Sequence, residues 1–176
     1  MPSPSARSPS GEWHQHLERI LTFLKSVGLS VTEGTVPTSA LLPGVDIVNG
    51  GLVYDWERLT WPGDLLHEAG HIAVVPAALR PTLGGKLGDD LTAAHAGEIE
   101  ATAWAFASVV AIGLDPDVLF HEGGYQGRSR GLAFTYSVGG YAGAPGLCAN
   151  GMALSRVEAA KRGLAPYPHM IRWLRE

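Results

Sequence analysis

The segment His67-Glu68-Ala69-Gly70-His71 has the clearest chemical content in the chain. On a helix, residues i and i+4 share one face, so the two imidazoles can converge on a single ion. Zinc takes imidazole nitrogen at about 2.0–2.1 Å, a reach that two histidines one turn apart can share. Glu68 is turned from His67 by one residue, which sets its carboxylate beside the ion, where it can take a proton from an activated water. With seven histidines and ten glutamates in 176 residues, chance supplies an H-E-x-x-H pattern only about 0.02 times, so coincidence explains it poorly. An ordinary amphipathic helix explains it no better. Three ionisable groups would lie among Leu, Ala, Ile and Val, and buried ionisable groups are generally paired or bound to metal.

A catalytic zinc site takes a third protein ligand and leaves a fourth position open. One turn beyond His71 stands Val75, and Val74 and Ala77 occupy the positions where a longer H-E-x-x-H-x-x-G-x-x-H motif would carry glycine and histidine. The third ligand must therefore come from another element. Glu100 is preferred on packing grounds. Its face of a predicted helix over 92–113 carries Ala96, Ala103, Ala107 and Ala111, with Gly97 and Trp104 at the edges. Small residues let helices approach closely, and Ala69 and Gly70 offer the matching surface. Glu98, turned roughly 200° from Glu100, falls beside His95, Thr102 and Ala105 and is the alternative ligand. For an oxyanion donor, Tyr125 and His121 in the FHEGGYQG segment are the candidates. His95 and His169 read as structural or exposed, and His14 and His16 as inert residues near a solvated helix start.

These groups need elements to hold them. Trp13, Leu17, Ile20, Leu21, Leu24 and Val27 recur at helical intervals and Gly28 supplies a stop, which predicts a helix over about 12–27. Residues 31–36 read as a strand ended by Pro37, and 45–48 with 52–56 as a hairpin around Asn49-Gly50. The metal helix starts at a Thr60 or Trp61 cap, with Pro62 near N1 and Asp64 at the positive end of the dipole, and Pro76 ends it. Residues 81–90 read as a loop and 120–131 as a polar, glycine-rich segment. Helices are expected over 132–138, from the Ser155–Glu158 capping box to Gly163, and over 169–174. The expected class is α+β: a small antiparallel sheet of about three strands on a helical core, in one domain over 11–176 behind a disordered tail at 1–10.

HEAGH followed by a helical glutamate resembles the zincin metallopeptidases, specifically the branch whose third ligand is glutamate. The stretches WPGDLLHEAGH over 61–71 and GEIEATAWAFA over 97–107 are similar to the ImmA/IrrE-like group, in which a short sheet runs into an HExGH helix and a later helix carries a Glu-Ala pair. The resemblance covers 45–107 and departs from that group in lacking a histidine at position 75 and a DNA-binding helix-turn-helix. It implies a sheet edge lining the cleft and zinc-assisted hydrolysis of a peptide or protein substrate. His67, His71 and Glu100 would hold Zn²⁺, Glu68 would act as base, and Tyr125 or His121 would be the donor. A zincin-like module that keeps its metal for sensing or interaction is the alternative, and a structural protein with a coincidental motif is a third reading.

Composition narrows the partners. Hydrophobic residues form 45% and charged residues 17% of the chain, enough apolar mass for a core and too little charge for a wholly disordered chain. The net charge of −4 argues against a nucleic-acid partner, and Arg128 and Arg130 read as solvated loop charges. Cys148 is the single cysteine, so no internal disulfide can form. No apolar run reaches the roughly 18 residues of a membrane span, and 1–13 lacks the apolar centre of a secretory signal. A cytoplasmic protein without a membrane partner is expected.

Overall fold

Amphipathic spacing near the N-terminus produces helix α1 (Gly11–Ser26), which buries Leu17, Ile20 and Leu24. Gly28 follows in the left-handed region at φ 91°, as the expected stop requires. The computed structural model describes residues 11–84 and 91–176, and of 91–96 the backbone. The 1–10 tail, 85–90 of the expected 81–90 loop, and the side chain of His95 lie outside the described residues.

Three strands follow: β1 (Val31–Glu33), β2 (Val45–Val48) and β3 (Gly51–Tyr54). The β2–β3 hairpin forms where Asn49-Gly50 predicts it. Both turn residues have positive φ, 50° and 73°, the conformation a two-residue hairpin turn needs. Val45 pairs with Tyr54 and Ile47 with Leu52, antiparallel. The sheet is nevertheless mixed, because β1 lies on the other side of β3 and runs parallel to it, Val31 opposite Leu52, in the order β1-β3-β2. The 34–44 segment carries the chain past β3 before the hairpin returns it to the centre. Val45, Ile47 and Leu52 point inward and are buried.

Helix α2 (Gly63–Ala73) carries the HEAGH segment and packs against β2, β3, α1 and α3 (Leu91–Ile112). Leu65, Leu66 and Ile72 are fully buried, each stabilising the seat of α2 by about 1.5–3 kcal/mol. Trp104 and Ala101, Ala103, Ala105 and Ala107 of α3 are also fully buried, so this helix is enclosed on several sides. Three shorter helices complete the described fold: α4 (Ser129–Ser137), α5 (Ala144–Ala149) and α6 (Arg156–Arg162). Among the described residues no helix is long and apolar enough to cross a membrane.

The α+β class is the one expected, and the differences have physical reasons. Helix α5, APGLCA, is not among the expected elements; its Pro145 falls in the first turn, where the missing N–H costs nothing. Residues 169–174 form no helix, because tertiary contacts hold their backbone. Ile171 and Arg172 donate N–H groups to the Met152 carbonyl, and Trp104 Nε1 donates to the Trp173 carbonyl at 2.8 Å. Helix α6 follows its signals: Ser155 Oγ accepts from the Glu158 N–H at 3.2 Å, and Gly163 ends it at φ 63°.

Helices α2 and α3 come close together at Gly70, where an added Cβ would lie 2.5 Å from the Ala101 carbonyl oxygen. That oxygen belongs to helix backbone and has little freedom to yield. Gly70→Ala is expected to destabilise the fold by about 1–3 kcal/mol, read as a fall in Tm of several degrees. Gly97→Ala, where a Cβ meets nothing within 4 Å, is expected to be neutral or to stabilise by up to about 1 kcal/mol.

Candidate metal centre

Helix α2 presents His67 and His71 one turn apart on the same side, with Nε2 atoms 3.2 Å from each other. The third group is Glu98 of α3. Its Oε1 is 3.2 Å from His67 Nε2 and its Oε2 is 3.2 Å from His71 Nε2. Two ligands on a tetrahedral zinc, each at about 2.0–2.1 Å, stand about 3.3–3.4 Å apart. The spacing therefore fits such an ion, and imidazole with carboxylate is a donor set that zinc accepts. His67, His71 and Glu98 could hold a metal ion.

The electrostatics agree. Burial disfavours charge on His67, yet the hydrogen bond and charge of Glu98, with Glu68 and Asp64 nearby, hold its pKa above the ordinary histidine value. Hydrogen bonding from His67, then from His71, drives the Glu98 carboxyl well below the usual carboxylate range. Lone pairs aimed at one centre repel unless a cation or a proton lies among them, and this cluster attracts positive charge. Glu68, on the same helix, is buried. Burial pushes its pKa up, while His71 and His67 oppose that shift.

Glu100, the preferred ligand on packing grounds, is turned elsewhere. A Cβ on Gly146 of α5 would stand 2.3 Å from Glu100 Oε1, and Oε2 is buried with no hydrogen-bond partner among the described residues. The reason lies in helical phase. The close contact on α3 is Ala101, and Glu98 precedes it by three residues on the same face, whereas Glu100 is turned about 100° away. The small-residue stripe at 96, 103, 107 and 111 cannot select the facing side, because α3 buries Ala101, Ala105 and Trp104 as well.

Tyr125 is brought to the histidine pair, with its Oη 3.2 Å from His67 Nδ1. With a metal on Nε2, Nδ1 would carry the ring proton and donate to the phenol. The hydroxyl thus stands behind the His67 ring, where it orients that residue rather than facing the cluster. Burial, then the charge of Glu98, raises the Tyr125 pKa, so the phenol stays neutral. Tyr125 and Gln126 both sit at φ 53° and Gly127 at 79°, and a left-handed non-glycine residue costs about 1–3 kcal/mol. The hydrogen bond to His67 and ring contacts with His67 and Phe120 hold this turn in place.

His121 is placed differently from the expected donor. It is buried, its Nε2 donates to Asp64 Oδ1 at 2.9 Å, and it stacks on Trp61 at 4.5 Å between centroids. Those contacts fix the 121–124 segment to the first turn of α2. The sequence reading assigned Asp64 only to the helix dipole, and no spacing rule ties it to a histidine 57 residues later.

Beside the cluster lies a cavity of about 480 Å³ whose walls include Glu98 and Tyr125. Ile99 of α3, Leu132 and Tyr136 of α4, and Ala142 line it with apolar surface, and Arg128 lies among its walls. In comparisons with protein-family models, curated proteins and solved structures, nothing matches this chain.

Three substitutions separate the candidate ligand from its neighbours. Tyr125→Phe is expected to weaken zinc binding about 10–100-fold, measured by competition with a chelator of known affinity. Glu98→Ala should weaken it further, while Glu100→Ala leaves zinc affinity within a few-fold of wild type. Zinc lost on Glu100→Ala but kept on Glu98→Ala would reverse the assignment.

Proposed function

We propose that the protein is a zinc-dependent peptidase of the zincin type, with His67, His71 and Glu98 as metal ligands and Glu68 as general base. The observation that carries this reading is the triangle of imidazole and carboxylate atoms at 3.2 Å spacings, with Glu68 on the same helix turn. The resemblance to glutamate-ligand zincins survives the exchange of Glu100 for Glu98, since both lie on the helix that follows HEAGH. The likeness of 61–71 and 97–107 to the ImmA/IrrE-like group supports the same reading.

Bound zinc would supply a Lewis acid toward a peptide carbonyl and a lowered pKa for an attacking water. The Glu68 carboxylate would take the proton of that water and hand it to the leaving amine, and burial makes it a stronger base than an exposed glutamate. Tyr125 would hold the His67 ring through Nδ1. Asp64, His121 and Trp61 would keep the first turn of α2 in place.

One observation favours the alternative, a zinc-binding sensing module without hydrolysis. The His121 Nε2 hydrogen goes to Asp64 and the Tyr125 hydroxyl lies against Nδ1 of His67, so neither is aimed at the Nε2 side of the histidine pair. Glu68→Gln distinguishes the readings. The peptidase reading expects zinc retained and peptide hydrolysis reduced about 10²–10⁴-fold. Hydrolysis equal to wild type would remove Glu68 as the base. A zinc-loaded wild type that cleaves nothing in a broad peptide library would favour the sensing module.

A further inference from the structure

The cavity beside the metal cluster has an uneven character. Most of its wall is apolar, from Ile99, Leu132, Tyr136 and Ala142, and it has one carboxylate and one guanidinium. The carboxylate is Glu98, directed at the imidazoles. The guanidinium is Arg128, which pairs with no carboxylate among the described residues. Its hydrogen bonds run to the Tyr125 carbonyl at 3.5 Å and to Gln126 Oε1 at 3.4 Å, both long and both to neutral acceptors. Arg128 is exposed, and its side chain also forms part of the wall of a cavity that shares Glu98 and Tyr125 with the metal site.

A second feature of the same wall favours an anion. Arg128 is the N-cap residue of α4 and no side chain caps that end. The first N–H groups of the helix and its dipole thus add positive potential where the guanidinium already stands, and Gly131 of the first turn also lines the cavity. A guanidinium fork and a helix start together suit a carboxylate better than a neutral amide. The volume and apolar wall suit one aliphatic or aromatic side chain.

Building on the peptidase reading, we infer that the cavity takes the C-terminal residue of a peptide. Its apolar side chain lies against Leu132 and Tyr136, and its free α-carboxylate lies on Arg128. The protein would then act as a carboxypeptidase for substrates ending in an apolar residue. The last peptide C–N bond breaks, the hydroxyl of water goes to the acyl carbon, and its proton passes through Glu68 to the amine of the released amino acid.

The test pairs binding with cleavage. N-acetyl-leucine and N-acetyl-leucinamide are titrated into the zinc-loaded protein and into its metal-free form, with binding read by calorimetry and by NMR shifts of Leu132 and Thr135. The acid is expected to bind about 10–100-fold more tightly than the amide. Arg128→Ala should bring that ratio near one, and Arg128→Lys should restore part of it. Peptides ending in leucine, as free acid and as C-terminal amide, are then offered to the zinc-loaded wild type, and the free acid should lose a single leucine. Equal affinity for acid and amide, or no binding of either, overturns the inference. Cleavage at internal bonds regardless of amidation also overturns it and leaves the peptidase reading standing. Acid-selective, Arg128-dependent binding without hydrolysis of any peptide overturns the peptidase reading and the carboxypeptidase activity with it, and upholds the carboxylate subsite.

Discussion

At Gly70 the backbone of α2 comes so near α3 that a side chain there would run into the Ala101 carbonyl, and this contact sets which residue of α3 reaches the histidines. Glu98 lies on the same side of the helix as Ala101, one turn earlier, so its carboxylate spans both Nε2 atoms. The glycine of HEAGH thus has a positional role distinct from that of the histidines. It sets the distance between two helices, and that distance sets the spacing of Glu98 from the histidines. The sheet supports the arrangement from the other side, because Val45, Ile47 and Leu52 bury the face toward α2.

Around that contact the structure concentrates charge that a purely apolar core would not tolerate. His67, His71, Glu98, Glu68 and Asp64 lie within two helices, and the pKa values of His67, Glu68 and Glu98 are moved by burial and by their charged neighbours. Two neighbouring devices keep the cluster ordered. One is the Asp64–His121 hydrogen bond stacked under Trp61. The other is the left-handed turn at 125–127, which aims the Tyr125 hydroxyl at His67. A backbone conformation that costs about 1–3 kcal/mol per residue is found in a segment that touches His67 and lines the neighbouring cavity. That coincidence links the turn to the site.

Much of the fold was legible because its signals are local. Helix α1, the Asn-Gly hairpin, the Pro62 start of α2 and the Ser155 cap of α6 each follow from a few adjacent residues. The histidine pair was legible for the same reason, since its geometry is fixed within a single turn. The third member of the cluster was not. Choosing between Glu98 and Glu100 requires knowing which side of α3 meets α2, and a helix with Ala or Trp buried on several faces carries no periodicity that says so. Tyr125 was found as a residue but not in its position behind His67, because a run of left-handed residues that includes Tyr and Gln has no sequence rule. Arg128 read as a solvated charge and is exposed, and only the folded chain shows that it also lines a cavity beside the histidines. The segment at 169–174 failed as a helix because contacts with Met152 and Trp104 hold it, and those partners are distant in sequence.

The central claim is that His67, His71 and Glu98 meet on one ion. X-ray absorption spectroscopy of the zinc-loaded protein tests this most directly. The account predicts one zinc per chain with two imidazole nitrogens and carboxylate oxygen at about 2.0–2.2 Å, and loss of the carboxylate contribution in Glu98→Ala. A zinc bound by one histidine or none, or a spectrum unchanged by Glu98→Ala, would contradict it.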